Sequence, residues 1–316
     1  MNTQKKTRAL IEASLMTAIT CIFAVIGTYI PVLTFVLYFI PVPFIILGKR
    51  HGMNFVVLSI IASAIIIGSL TEPIYSVFVV LLPGIVAIVM GYMMKKGYSP
   101  GMVLAGGTAA ALLSTGLSIS LATAISGINA FTQMSEIFKE VTEMQINLMQ
   151  RMGMEAEKME QITTNLENTA KMAVMVIPAA IMLSAVFLSY VNYLLTVYIL
   201  NRIGYKAEQL PPLQNLRLPK SILAGSFLII ILTLLTRYLN IIHYDTLVVN
   251  IFVILQFIFF IQGIAVILYF MKAYKLTKPM RLLIFLFLLL NQMGAFMVAM
   301  IGLTDSFVNL RRLQSE

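Results

Sequence analysis

The chain has 316 residues, 59% hydrophobic and 11% charged, with a mean hydropathy of +0.93. A soluble domain carries about 25% charged residues, so the composition excludes an ordinary soluble protein and describes an integral membrane protein. The formal net charge of +9 calls for no nucleic acid, because loop lysines and arginines that set membrane orientation account for it.

The first apolar run, about residues 9–29, has a basic start at Lys5, Lys6 and Arg8 and no small-residue cleavage site before Pro31. It reads as an uncleaved anchor. Its small residues Ala9, Ala13 and Thr17 fall four apart, which on a helix makes one smooth stripe. In lipid such a stripe lets a second helix approach closely. The single cysteine, Cys21, lies inside this run, so there is no disulfide framework and no thiolate metal cluster.

The second run, about 32–47, is short and carries Pro41 and Pro43. A kinked or incomplete helix is expected there, with freed carbonyls that neighbours must satisfy. Spans follow at about 54–70, 74–94 and 101–126. Residues 128–169 then break the pattern with ten charged residues, from Glu136 to Glu167. Apolar residues at Phe131, Met134, Phe138, Val141, Leu148, Met152, Met159, Ile162 and Leu166 keep a three-four spacing. The segment predicts two amphipathic helices outside the membrane, about 131–151 and 154–169, turning at Gly153 and packed as a hairpin. Lying flat on the bilayer is the alternative, though the acidic excess opposes tight contact with anionic lipid.

A sixth span covers about 170–201, with Pro178 near its start. Leu210-Pro-Pro-Leu213 and Leu218-Pro219 stiffen a linker at 202–220. Spans at about 221–239, 246–271 and 280–303 complete the chain. The expected fold is all-α, a polytopic transmembrane helix bundle of about eight or nine spans with an extracytoplasmic amphipathic helical hairpin. The expected division is a six-helix unit, 1–201, that includes the insertion, a linker at 202–220, and a three-helix unit, 221–316.

With the N-terminus cytoplasmic, 15 of the 22 lysines and arginines fall on the inner side. Arg311 and Arg312 are the exception, because nine spans put them outside. Either the ninth segment re-enters or one segment does not cross.

No H-E-x-x-H, G-x-S-x-G or Walker-type loop is present. The expectation is no catalysis, no cofactor, and transport energy drawn from a partner or a gradient. Ionisable groups in the spans are few: Glu12, which can pair with Arg8 at i,i+4, Arg237, which can snorkel, and Asp305. This scarcity disfavours a proton-driven carrier. Met149-x-x-Met152-x-Met154 offers soft thioether ligands for Cu(I), although methionine on an amphipathic face also packs adaptably. Asn291-Gln292 suits helix-to-helix hydrogen bonding.

Ala9-x-x-x-Ala13 resembles the small-residue motif of S components, the substrate-capturing membrane subunits of energy-coupling-factor importers. Pro31, Pro41-Val-Pro43 and Gly48-Lys-Arg-His-Gly52 resemble that group too, over about residues 8–201. The whole chain resembles the YybS-type family of uncharacterised multi-pass proteins from Gram-positive bacteria, and Gly302-Leu-x-Asp305 with Arg311-Arg312 fits it. The long insertion and the three extra helices depart from the S-component pattern.

The S-component resemblance implies that Ala9, Ala13 and Thr17 dock on a transmembrane coupling subunit that brings ATPases. It also implies an outward pocket for a small molecule. By position, the pocket would take Tyr29 with Thr28 and Thr34, Glu72, Tyr75, Ser118 with Thr115 and Ser120, Asn129, and Asn192 with Tyr190 and Tyr193. Each has a plainer reading. Serine and threonine bond their own helix, the tyrosines and Asn192 stabilise packing, and Glu72 caps a helix. The leading function is therefore a substrate-binding importer subunit in the cell membrane, with membrane lipid around it. The alternative is a non-transporting scaffold or regulator that binds an envelope partner through its hairpin.

Overall fold

The computed structural model describes residues 3–152, 156–239 and 243–311. Gly153, Met154 and Arg312 lie outside the described residues, so the expected turn at Gly153 does too. Twelve α-helices run in chain order through the described residues. They are α1 (Thr3–Tyr29), α2 (Pro41–Arg50), α3 (Met53–Leu70), α4 (Pro73–Ser76), α5 (Leu82–Lys96), α6 (Pro100–Ser126), α7 (Ala130–Arg151), α8 (Ala156–Arg202), α9 (Lys220–Thr236), α10 (Tyr244–Ala273), α11 (Lys278–Leu290) and α12 (Gln292–Val308). Among the described residues there is no strand. The all-α polytopic reading holds.

The chain forms two compact units, Met1–Met134 with Ile181–Leu210, and Ser135–Ala180 with Pro211–Glu316. Residues 128–134 of the insertion fall in the first unit, and Ser135–Ala180, which holds the rest of it and the start of the sixth span, falls in the second.

In the first unit a 3-10 stretch, Pro31–Phe39, precedes α2. This is the break expected at the prolines. From Pro41 to Gly48 every residue of α2 is buried, as an all-apolar helix requires. Its backbone runs against α5, where a Cβ on Gly48 would sit 3.2 Å from the Gly91 Cα. Asn192 of α8 donates to the Tyr38 carbonyl at 3.1 Å, where the 3-10 stretch ends. A π-turn, Val77–Leu81, joins α4 to α5, and the Leu82 N–H reaches back to the Val77 carbonyl. Pro83 follows directly; it has no N–H and would clash with the carbonyl four residues back, so the wider turn makes room.

In the second unit α7 covers the first expected hairpin helix. The second is not a separate helix. The structure continues it without a stop into the sixth span, as the 47 residues of α8. Nothing between residues 156 and 177 is glycine or proline, so a change from one apolar face to apolar all round does not end the helix. At Pro178 the ladder opens. The Asn250 amide of α10 takes the Ala179 N–H at 2.6 Å and gives its own N–H to the Met175 carbonyl at 2.6 Å. In an unbroken helix those two backbone groups would bond each other, so a side chain is inserted into the ladder.

Seven helical stretches among the described residues are long and apolar enough to cross a membrane, with the 3-10 stretch and α2 (Pro31–Arg50) counted as one and α4 through α5 (Pro73–Lys96) as another. The expected seventh span is shorter, 17 residues in α9, continued by a 3-10 turn, Arg237–Leu239. The expected ninth span is not one helix. α11 and α12 meet at 104°, and counting them as one span would raise the total to eight. Asn291, expected to bond another helix, instead caps α12 by accepting from the Met293 N–H at 3.0 Å.

This bend explains the stray basic residue. The Arg311 guanidinium donates to the carbonyls of Gln214 at 2.8 Å and Leu216 at 2.7 Å. An uninterrupted ninth span would have put Arg311 and the linker on opposite faces of the membrane.

α12 packs on α10 through glycine. A Cβ on Gly302 would strike the Phe259 carbonyl, and one on Gly263 would strike the Val298 carbonyl. A Cβ on Gly116 meets nothing within 4 Å. Gly302→Ala is expected to cost about 1–3 kcal/mol by overpacking and to lower the Tm in detergent. Gly116→Ala should leave the Tm unchanged or raise it.

Candidate functional site

At the end of the first unit where α1 finishes, two neighbouring turns bring polar groups together. Thr28 and Tyr29 close α1, Thr71 and Glu72 lie between α3 and α4, and Tyr75 is on α4. They line an open depression of about 390 Å³. The Thr28 hydroxyl donates to the Ala24 carbonyl at 2.6 Å and lies 2.8 Å from the Tyr75 hydroxyl. A threonine has one proton to give, so Tyr75 donates to Thr28. Tyr29 donates to the Leu70 carbonyl at 3.0 Å. Both aromatic rings are thus held by their hydroxyls.

Glu72 occupies the N-cap position of α4, but its carboxylate makes no cap hydrogen bond. Among the described residues that carboxylate has no partner, and it is exposed at the rim. The capping role that the sequence offered for Glu72 is not the one the structure uses.

Three of the six expected binding residues, Tyr29, Glu72 and Tyr75, therefore share one depression, and the other three do not join it. Ser118 donates to the Ser114 carbonyl of its own helix. Asn129 accepts from the Phe131 N–H at the start of α7. Asn192 is fully buried, on the Tyr38 and Leu188 carbonyls. Thr34 and Ser120 also bond local carbonyls, and Tyr193 donates to the Glu208 carbonyl.

The small-residue stripe is occupied within the chain. Ala9 is 0% exposed, Ala13 4% and Thr17 8%. α3 covers it, with the Ser59 hydroxyl donating to the Ala13 carbonyl at 3.3 Å. The spacing does mark a close helix contact, but that contact is with α3, so docking of a coupling subunit on this stripe would require α3 to leave. Of the methionine triplet, Met149 is half-buried and Met152 exposed. No His, Cys, Asp or Glu group among the described residues could hold a metal.

Long-range side-chain networks escaped the sequence. At the opposite end of the first unit, Glu12 bonds Arg50 at 2.8 Å and His51 at 2.6 Å besides Arg8 at 3.2 Å. The Arg50 guanidinium also lies 4.4 Å over the Tyr205 ring. In the second unit Asp305, read as a helix-end charge, is 2% exposed and pairs with Arg311 at 2.9 Å. Gln262 donates to the same carboxylate oxygen at 2.7 Å and accepts the Leu218 N–H at 3.2 Å. The one signal in the sequence was the presence of polar residues in apolar runs.

The model of a family of predicted membrane proteins (DUF2232) matches residues 18–306. The chain belongs to this family. It is 23% identical over 314 residues to a Bacillus subtilis (strain 168) protein named "Uncharacterized protein YybS", covering 97% of this chain and 98% of that one. No solved structure matches. Family and apolar helices together make this a multi-pass membrane protein.

Two predictions follow from the placement of these residues. The double substitution Ala9→Leu/Ala13→Leu is expected to disrupt the packing of α1 on α3, read as loss of a monodisperse peak in size-exclusion chromatography. Arg50→Ala should cost about 1.5–3 kcal/mol, as charged hydrogen bonds do. Arg8→Ala, at a side chain 69% exposed, should cost about 0–1 kcal/mol. Thermal unfolding of both variants separates the two contributions.

Proposed function

We propose that the protein is the substrate-binding subunit of a small-molecule importer, without catalysis of its own and energised by a partner. The observation that carries this reading is the uncommitted Glu72 carboxylate between two anchored tyrosines. A carboxylate with aromatic walls suits an amine or another small organic cation.

Orientation supports it. Lys49, Arg50, Lys95 and Lys96 gather at the Glu12 end, with Lys49 on the Met94 carbonyl. A basic end is a cytoplasmic end, so the depression opens outward from the cell membrane. In the second unit, α9 and its 3-10 turn extend roughly 31 Å, enough to cross the hydrocarbon. The bend at Asn291 then returns the chain, so that Arg311 lies on the side of the linker carbonyls that it bonds. The stripe on α1 plays no part in this proposal.

The scaffold reading draws on one observation. Met134, Ile137, Val141, Met144 and Leu148 form an exposed apolar stripe on α7, as a partner-binding helix would.

The test is ligand-induced stabilisation of the purified protein across a panel of amine-bearing solutes. A bound solute at a hundred times its Kd adds about 2.7 kcal/mol, and Glu72→Gln should remove that gain. Absence of any stabilising amine would overturn the proposal. In mild-detergent purification from the source organism, co-purification of ATPases supports import. Recovery of envelope or signalling proteins alone supports the scaffold.

A further inference from the structure

A groove of about 530 Å³ is lined by α7 and α8, together with Thr246 of α10. Its floor is apolar: Phe138 and Ile146 from α7, Val174 and Met175 from α8. Its rim is charged, with Lys139 and Glu143 on α7 and Glu167 and Lys171 on α8. Lys139 and Glu143 sit 3.9 Å apart in a loose exposed pair. Between floor and rim, Thr142 spends its hydroxyl on the Phe138 carbonyl.

The charge map puts this groove at a membrane boundary. From Met172 to Asn201, α8 has no charged residue, and α10 has none from Thr246 to Met271. Lys171 and Asp245 are the last charges before these two runs. Val174 and Met175 therefore lie just inside the hydrocarbon, while Lys139, Glu143, Glu167 and Lys171 stand at headgroup level. Asn250 fixes the junction by bonding the Thr246 carbonyl at 2.6 Å in addition to Met175 and Ala179. The groove is thus open to lipid at one end and to water at the other.

We propose that this groove binds one membrane phospholipid with an amine-bearing headgroup. One acyl chain lies along Phe138, Val174 and Met175. The phosphate meets Lys139 and Lys171, since lysine binds phosphate as a point charge. The ammonium meets Glu143 and Glu167. Two acidic groups at the rim select against a headgroup carrying net negative charge alone, because like charges brought together are penalised.

The experiment is native mass spectrometry of the full chain released from detergent, titrated with dioleoyl phosphatidylethanolamine and, separately, dioleoyl phosphatidylglycerol. Wild-type protein should hold one phosphatidylethanolamine at least tenfold more tightly than phosphatidylglycerol. Lys139→Gln/Lys171→Gln, at exposed positions that leave the fold intact, should lose that retention about tenfold, with an unchanged Tm in lipid-free detergent. Val174→Trp, which fills the path of the acyl chain, should lose it while both lysines remain. No retained lipid on the wild type, equal retention of both lipids, or retention unaffected by either variant would overturn the proposal. So would a lipid-free dimer that dissociates in the lysine variant, because a second copy would then be the occupant.

Discussion

In the hydrocarbon core no water is present to bond an orphaned N–H or carbonyl, so every break in a spanning helix has to be mended from within the protein. Much of this architecture follows from that constraint. Three breaks carry an asparagine each. Asn192 reaches the Tyr38 carbonyl where the 3-10 stretch gives way to α2. Asn250 replaces a backbone bond of α8 beside Pro178. Asn291 caps α12 after the sharp bend. Pro83 is accommodated differently, by a π-turn that widens the helix ahead of it. Each repair ties together elements distant in the chain or redirects it, so the breaks set the path of the fold.

Helix association in lipid gains little from burying apolar surface, and packing must come from close contact. Small residues supply it in both units. The Ala9, Ala13 and Thr17 face receives α3, Gly48 meets Gly91, and Gly263 meets Gly302. Charge is handled in the complementary way. Glu12 and Arg50 neutralise each other at one end of the first unit, with His51 bonded to the same carboxylate. Asp305 and Arg311 do so inside the second, with the linker carbonyls taking two more guanidinium protons.

Polar groups outside these repairs gather at the surface in each unit. In the first unit they collect at the depression that holds Glu72, whose neighbours Tyr29 and Tyr75 are already anchored. In the second they collect around the groove lined by α7 and α8, where lysines and glutamates face one another above an apolar floor. The depression and the groove are alike in setting acidic side chains beside an aromatic or apolar wall.

Hydropathy and length alone determined that this is an all-helical membrane protein, because a spanning helix is a local requirement for about 20 apolar residues. Local periodicity equally placed α7, and the prolines marked the break before α2. Tyr29, Glu72 and Tyr75, named in the sequence only by position in the S-component resemblance, fall in neighbouring turns, whereas Ser118, Asn129 and Asn192 bond backbone groups. Spacing identified the small-residue stripe as a contact face but not its occupant, since periodicity tells which side of a helix is special and not what lies against it. The pairing of Glu12 with residues 38 and 39 positions away, the repair at Pro178 and the return of Arg311 to the linker were decided only by tertiary structure. They depend on which helices become neighbours, and no local pattern of residues encodes that distance.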